Sequence, residues 1–237
     1  ARRVQLGAEL RRAENTGTEA FLPPDRAAAK AETVVDGLAK RFRANPITIN
    51  FDPLAKLPDG RTVIEAWAAD SHYRNAHETG NSGGLQLSDR RTIAENAMFP
   101  ELRGRGADER PKYAALNLTG DPSGAAARYG EAYLTLKPEV RGRVTMTPED
   151  SLDMAPLKAD AGSNQALAGM VFTPETPFSL LRRMDKSSVA NLIRPDKGAK
   201  APYVEVQVHG PLRFNADIEA VNAPAKLRGT QTGARME

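Results

Sequence analysis

The strictly alternating segment at residues 203–209 constrains the fold of this chain more than any other part of its sequence. Val204, Val206 and Val208 alternate there with Tyr, Glu, Gln and His, and a Gly-Pro pair follows. Because successive side chains of a strand point to opposite faces, the pattern predicts a strand that buries its valines. The opposite face carries a carboxylate, a carboxamide, an imidazole and a phenol. That face is either an ordinary solvated surface or a row of functional groups.

Length and composition predict one large domain with a finely packed core. The chain has 237 residues, of which 40% are hydrophobic and 5% aromatic, and it contains 17 prolines and 19 glycines. Such frequent Pro and Gly predict many short elements rather than a few long ones. The absence of cysteine excludes disulfides, thiolate zinc sites and a cysteine nucleophile.

Charge and hydropathy argue against several classes of partner. The net charge is only +3 and the basic residues are dispersed, whereas a nucleic-acid binder usually shows a basic stripe with interleaved aromatics. No apolar run approaches the roughly 20 residues that span a bilayer, and the N-terminus lacks the hydrophobic segment of a cleavable signal peptide. With three scattered histidines and no carboxylate cluster at ligand spacing, we expect no metal site, no nucleic-acid partner and no membrane partner.

The order of the predicted elements indicates an α+β fold. Residues 1–22 are predicted to be a polar, loosely ordered leader, residues 23–222 a single domain, and residues 223–237 a disordered tail. Helices are predicted at 26–44 after a cap at Asp25, at 62–69, 88–98 and 179–193, with a last helical turn at 216–221. Strands are predicted at 47–51, 113–118, 132–136, 144–146, 171–172 and 203–209.

The loop at residues 71–84 offers one arginine fork, Arg74, followed by small polar residues whose backbone amides can approach a ligand. A guanidinium can hold phosphate bidentately, although a plain surface loop would read the same way. Further along the chain, Tyr113 and Asn117 fall on the same side of the strand predicted at 113–118. No Gly-rich dinucleotide fingerprint, Walker loop or serine-nucleophile elbow is present.

Four segments together resemble a known bacterial family. They read HYRNAHETGNSGG, ERPKYAALNL, AYLTLKPEVRGRVTMTPEDS and YVEVQVHGPLRFNADIEAV, in this order within residues 47–221. The resemblance is to the CteC-like type III effectors, threonine-specific mono-ADP-ribosyltransferases that act on ubiquitin. It implies an ADP-ribosyltransferase-like fold, in which two small sheets form an NAD cleft beside N-terminal helices. It also implies secretion into the host cell cytoplasm, NAD as the substrate, and host ubiquitin as the protein modified so that ubiquitination is blocked.

By that resemblance, Glu205 is the catalytic glutamate and Arg74 grips NAD. The expected NAD-binding residues are Tyr73, Arg74, Asn75, Thr79, Gly80, Asn81, Ser82, Tyr113, Asn117 and Gln207. One feature departs from the usual transferase pattern, because Glu205 precedes Gln207 where the essential glutamate normally comes second. The alternatives are an NAD glycohydrolase and a non-catalytic module that binds a host protein and keeps a transferase-like fold.

Overall fold

A computed structural model describes residues 24–82, 85–86, 89–154, 167–175 and 203–236. The predicted leader at 1–22 and the predicted helix at 179–193 lie outside the described residues.

The described chain alternates short helices with short strands. The helices are α1 (Pro24–Ala44), α2 (Val63–Ala69), α3 (Ala76–Thr79), α4 (Asp89–Met98), α5 (Ser151–Met154), α6 (Phe214–Asp217) and α7 (Gln231–Ala234). The strands are β1 (Ile47–Phe51), β2 (Asn81–Ser82), β3 (Leu85–Gln86), β4 (Lys112–Leu116), β5 (Ala132–Leu136), β6 (Val144–Thr147), β7 (Glu205–Val208) and β8 (Ile218–Asn222). Short 3₁₀ turns lie at Pro100–Leu102, Ala107–Glu109, Ala127–Tyr129, Pro138–Arg143 and Ala225–Leu227.

The α+β class predicted from the sequence is confirmed, but the strands are arranged differently from the two small sheets expected. Six strands form one antiparallel sheet in the order β6-β7-β4-β1-β5-β8, and β2 and β3 form a separate two-stranded hairpin. The large sheet is continuous because β1 pairs on both edges, with Thr48 opposite Ala115 of β4 and also opposite Thr135 of β5.

One face of the sheet is apolar and carries the main core. Val204, Val206 and Val208 are fully buried in it, as the alternation predicts, together with Leu38 and Phe42 of α1. The opposite face is not solvated: Glu205 and Gln207 are also buried. The β7 strand is therefore covered on both faces, and polar groups are enclosed on one of them.

Two segments near the C-terminus differ from the prediction. Residues 216–221 form the end of α6 and then the edge strand β8, because Ile218 and Val221 pair with β5. Residues 223–236, predicted to be disordered, include a 3₁₀ turn and α7. Leu227 is buried there, and Arg235 Nη1 lies 2.7 Å from Glu65 Oε1 of α2.

Within the described ranges, no helix is both long and apolar enough to cross a membrane.

The apolar face of β7 provides a direct test of the sheet. Val206 is fully buried between Met146 and Ala114 on the neighbouring strands, so Val206→Asp would place a charge in the core. An unpaired buried charge costs several kcal/mol, and we expect the variant to be unfolded at room temperature by circular dichroism. The matched control is Val221→Asp on the exposed edge strand β8. Its free energy of unfolding should lie within about 0.5 kcal/mol of the wild-type value. Equal stability of the two variants would contradict the assignment of the buried face.

Candidate active site

A cavity of about 350 Å³ opens beside β1, α2 and α3, and its size lies at the lower end of the range for ligand pockets. Aromatic side chains and ion pairs share its wall. Lining residues include Phe51, Trp67, Tyr73, Tyr113 and Tyr129, together with Asp59, Arg61, Asp70, Arg74, Asn75, Glu78 and Thr79. Trp67 packs between Phe51 and Tyr73, with ring centroids 4.3 and 5.3 Å away, so the apolar part of the wall is fixed by stacking.

Arg74 lies in the wall of this cavity, as a ligand-binding arginine must. Its Nη2 is 2.8 Å from Asp70 Oδ1, and the side chain remains exposed. A ligand phosphate at Arg74 would therefore compete with the Asp70 carboxylate. Since the pair is exposed, its net contribution to stability is small and exchange of partners is inexpensive.

Asn75 lines the same cavity, but its side chain is fully engaged in holding α3. The carboxamide oxygen accepts from the backbone N–H groups of His77 and Glu78, which caps the helix, and Nδ2 donates to the carbonyls of Ala107 and Arg110. The backbone of this loop is thus fixed against the segment that enters β4. Asn75 positions Arg74, its neighbour in the chain.

The other residues expected to bind NAD divide into two groups. Thr79 lines the cavity and Gly80 does not, whereas the side chains of Asn81 and Ser82 lie outside the described part of the structure. Gly80 ends α3 in the left-handed conformation, with φ +67°, and the next two residues form β2. Asn117 is also away from the cavity, because its carboxamide both donates to and accepts from the backbone of Asp121 in the turn after β4.

Tyr113 connects the cavity to the polar face of the sheet. It lies on β4 directly opposite Gln207 of β7, and its ring forms part of the cavity wall. Its hydroxyl donates to Glu95 Oε1 at 3.0 Å, and the guanidinium carbon of Arg91 lies 4.0 Å from the ring centroid. Burial raises the pKa of Tyr113 well above its usual value, so the phenol stays protonated.

Glu205 is buried on the same face of the sheet, two residues before Gln207 on β7, and it does not line the cavity. Its Oε1 accepts from the backbone N–H of Ser151 at 3.2 Å and from Gln207 Nε2 at 2.9 Å. Burial raises the pKa of Glu205 to about 7, although Arg91 opposes that shift. No basic nitrogen of the described residues lies within 4 Å of this carboxylate. It is therefore a buried acid without an ion pair.

Gln207 holds Glu205 rather than facing the cavity. Its Nε2 also donates to Thr147 Oγ1 at 3.1 Å, and its Oε1 accepts from Thr145 Oγ1 at the same distance. Residues directly opposite on antiparallel strands share a face, which is why these β6 hydroxyls reach the β7 side chains. His209 Nε2 ends the row, 2.9 Å from Thr145 Oγ1. The alternate residues of β7 thus form one hydrogen-bonded line.

Two side chains of α4 complete the site, and sequence reasoning did not single them out. Arg91 and Glu95 lie four residues apart, so they share the helix face that covers Tyr113. Glu95 is fully buried, with Oε2 at 3.1 Å from Arg110 Nη1 and 2.8 Å from His77 Nε2. A charged pair at this spacing usually marks an exposed face, so the pattern alone could not identify a buried one.

A second connection joins the cavity to Glu205. Tyr129 lines the cavity, and its hydroxyl donates to Asp150 Oδ2 at 2.9 Å. Arg128 Nη2 lies 2.8 Å from the same oxygen. Asp150 precedes Ser151, whose N–H donates to Glu205 Oε1, so this segment connects Tyr129 of the cavity wall with the buried carboxylate.

Metal ligands are not grouped in the described part of the chain: no set of three or more His, Asp or Glu residues there is arranged to hold an ion. The arrangement offers instead a buried acid, two tyrosines and an exchangeable arginine.

Comparison with known proteins places this chain in context. The sequence model of a family described as "Protein of unknown function (DUF3626)" matches residues 46–237, a range that contains every residue of the candidate site. The chain is also 30% identical over 159 residues to the "Gene 2 protein" of Mycobacterium phage D29. That match covers 61% of this chain and 54% of the phage protein, so the chain spans about half the length of this curated relative.

The raised pKa of Glu205 predicts how stability depends on pH. The folded protein holds this proton up to about pH 7, whereas an exposed carboxyl releases it near 4.5, so the free energy of unfolding falls as pH rises between these values. Glu205→Gln removes that titration and keeps the acceptor oxygen. We expect it to be more stable than the wild type at pH 8, by up to about 3 kcal/mol, with the difference shrinking towards pH 4.5. Urea unfolding at both pH values measures this.

The control for that measurement is Glu219→Gln, the same isosteric change at an exposed position of β8. A pH-independent difference between the wild type and Glu205→Gln would contradict the assignment of a buried, titrating acid.

Proposed function

The chain belongs to the DUF3626 family, and we propose that it is a mono-ADP-ribosyltransferase. It transfers ADP-ribose from NAD to a hydroxyl of a protein. The threonine of host ubiquitin is the acceptor that the resemblance of the four motifs implies, and blocked ubiquitination is the consequence. Delivery into the host cytoplasm and an ADP-ribosyltransferase-like fold belong to the same proposal.

The observation that carries the proposal is the buried carboxylate of Glu205, which has no ion-pair partner among the described residues and shares the polar face of the sheet with Tyr113 of the cavity wall. Burying an acid without an ion pair lowers stability, so a purely structural role explains it poorly. Perturbed acids next to a concave pocket are typical of functional sites. Two hydrogen-bond donors, the Ser151 N–H and Gln207 Nε2, fix its orientation.

The proposed chemistry makes use of a fixed negative charge. The bond between nicotinamide and ribose breaks and its electron pair leaves with nicotinamide, while positive charge develops on the ribose as in glycoside hydrolysis. The acceptor oxygen then bonds to that ribose carbon and loses its proton. An ionised Glu205 beside the ribose hydroxyls would stabilise the charged transition state, an effect worth a few kcal/mol for a preorganised group.

The remaining groups would bind and orient NAD. Arg74 would exchange Asp70 for a phosphate of NAD, since the guanidinium fork fits phosphate at least as well as a carboxylate. Tyr113 presents a ring held by Arg91 and Glu95, which suits stacking against nicotinamide and exclusion of water. Because Glu205 does not line the cavity, the ribose would have to reach it past Tyr113, which shares its face of the sheet.

The decisive experiment is incubation of the protein with NAD and ubiquitin, followed by mass spectrometry of intact ubiquitin and its peptides. We expect one ADP-ribose to be added at a threonine. Nicotinamide release that does not depend on ubiquitin would identify an NAD glycohydrolase instead. If the protein neither consumes NAD nor gives heat of NAD binding in calorimetry, the remaining alternative is the non-catalytic binding module.

Glu205→Gln separates a catalytic role from a structural one. If the charge acts on the ribose, turnover of NAD should fall by about 10²-fold or more at pH 8 while NAD affinity is nearly kept. Nicotinamide release measures turnover and calorimetry measures affinity. Glu219→Gln on β8 should retain wild-type turnover. Near wild-type activity in the Glu205 variant would remove Glu205 from the mechanism.

Arg74→Lys tests the phosphate-binding role. Lysine keeps the charge and loses the planar fork, so the variant should bind NAD more weakly by roughly 1–3 kcal/mol in calorimetric titration. The matched control is Arg105→Lys, which alters an exposed i,i+4 ion pair with Glu109 away from the cavity and should leave NAD affinity unchanged. An unaltered dissociation constant for Arg74→Lys would assign phosphate binding to another residue.

A further inference from the structure

We propose that Arg91 is the positioning residue of Glu205: its buried guanidinium, stacked on Tyr113 and bonded to Ser151, keeps the Glu205 carboxylate charged and aligned. The catalytic consequence rests on the function proposed above, whereas the electrostatic effect on Glu205 does not depend on it.

Arg91 is held in place by contacts with Tyr113 and Ser151. Its side chain is only 6% exposed, its guanidinium lies over the Tyr113 ring, and Nη1 donates to Ser151 Oγ at 3.3 Å. The backbone N–H of Ser151 donates in turn to Glu205 Oε1 at 3.2 Å. One residue therefore bonds to both the arginine and the glutamate, and Arg91 also contacts the ring of Tyr113, which lies in the cavity wall.

Within the described part of the chain, Arg91 has no salt bridge and one nitrogen without a hydrogen-bond partner. Nε is buried without a hydrogen-bond partner among the described residues, and none of the described carboxylates lies within 4 Å of the guanidinium. Arg110, also buried, has Glu95 Oε2 at 3.1 Å. A buried cation without an ion pair is expensive, and no salt bridge within the described ranges explains the burial of Arg91. Its guanidinium contacts the Tyr113 ring directly and attracts the Glu205 carboxylate from beyond ion-pair distance.

Charged groups of both signs surround Glu205. Its described ionisable neighbours are Arg91 on α4, Tyr113 on β4, Asp150 before α5, and Tyr203 before β7, with Arg128 beyond Asp150. The remaining contacts, from Ser151, Thr147 and Gln207, are uncharged. Burial and Asp150 raise the pKa of Glu205, and Arg91 is the cation that lowers it. Burial alone would lower the pKa of Arg91, but attraction to Tyr113 and Glu205 raises it, so Arg91 stays charged throughout.

Removal of this cation should therefore shift the titration of Glu205 upward. An opposite charge nearby typically moves a pKa by about 1–3 units, and Arg91 lies beyond ion-pair distance, so Arg91→Gln should raise the titration midpoint of Glu205 by about one pH unit. Arg91→Lys keeps the charge and should titrate within about half a unit of the wild type. Glutamine retains the ability to bond to Ser151, so the two variants differ mainly in charge.

The primary measurement is the carboxyl ¹³C chemical shift of Glu205 against pH, assigned by its disappearance in Glu205→Gln. The secondary measurement is the pH profile of nicotinamide release, whose acidic limb should move with the NMR midpoint. Arg110→Gln is the matched control, because it removes a buried cation that lies on Glu95 rather than near Glu205. Its NMR midpoint should equal that of the wild type.

The two measurements separate the two proposals. A shifted NMR midpoint in a protein that never cleaves NAD would retain the role of Arg91 and refute the transferase. NAD cleavage with a midpoint unchanged in Arg91→Gln would refute the role of Arg91 alone. Equal midpoints for the glutamine and lysine variants, or a lysine variant that does not fold, would also overturn it, because Arg91 would then serve the structure rather than the charge of Glu205.

Discussion

Enclosure of a polar row between the sheet and α4 is the constraint on which the rest of this structure depends. Glu205 and Gln207 are buried on the face opposite the valines, so every polar atom there must find a partner inside the protein. Threonine hydroxyls of β6 and the Ser151 N–H supply those partners. No counter-charge from the described part of the chain contacts Glu205. Burial therefore raises the pKa of Glu205 to about 7.

Stability and proposed activity are opposed at this position. The same burial that makes ionised Glu205 unfavourable would place an unscreened charge next to the ribose of NAD, where water cannot weaken it. A chain selected only for stability would carry glutamine or an apolar residue there. Arg91 moderates the conflict without removing it, because its guanidinium reaches Glu205 through Ser151 rather than by direct contact.

Local pattern predicted the elements well, whereas burial of the site depended on distant contacts. The alternation at 203–209 and the helix at 89–98 follow directly from residue periodicity. The segment at 218–222 was misread because its short apolar pattern suits a helical turn, and pairing with β5 decides in favour of a strand. Likewise, nothing within residues 203–209 reveals that α4 and Ser151 cover Glu205 from elsewhere in the chain. Arg74, singled out because a guanidinium among small polar residues is a local signal, lies in the cavity wall, and its role in binding NAD stays a prediction.

A crystal structure of the Glu205→Gln protein with intact NAD would test the central claim most directly, because the variant should bind the dinucleotide without consuming it. The account predicts that the ribose attached to nicotinamide lies within hydrogen-bond distance of the carboxamide at position 205. It also predicts a phosphate on Arg74 in place of Asp70, with nicotinamide stacked on the ring of Tyr113. NAD bound with that ribose remote from position 205, or bound outside this cavity, would contradict the account.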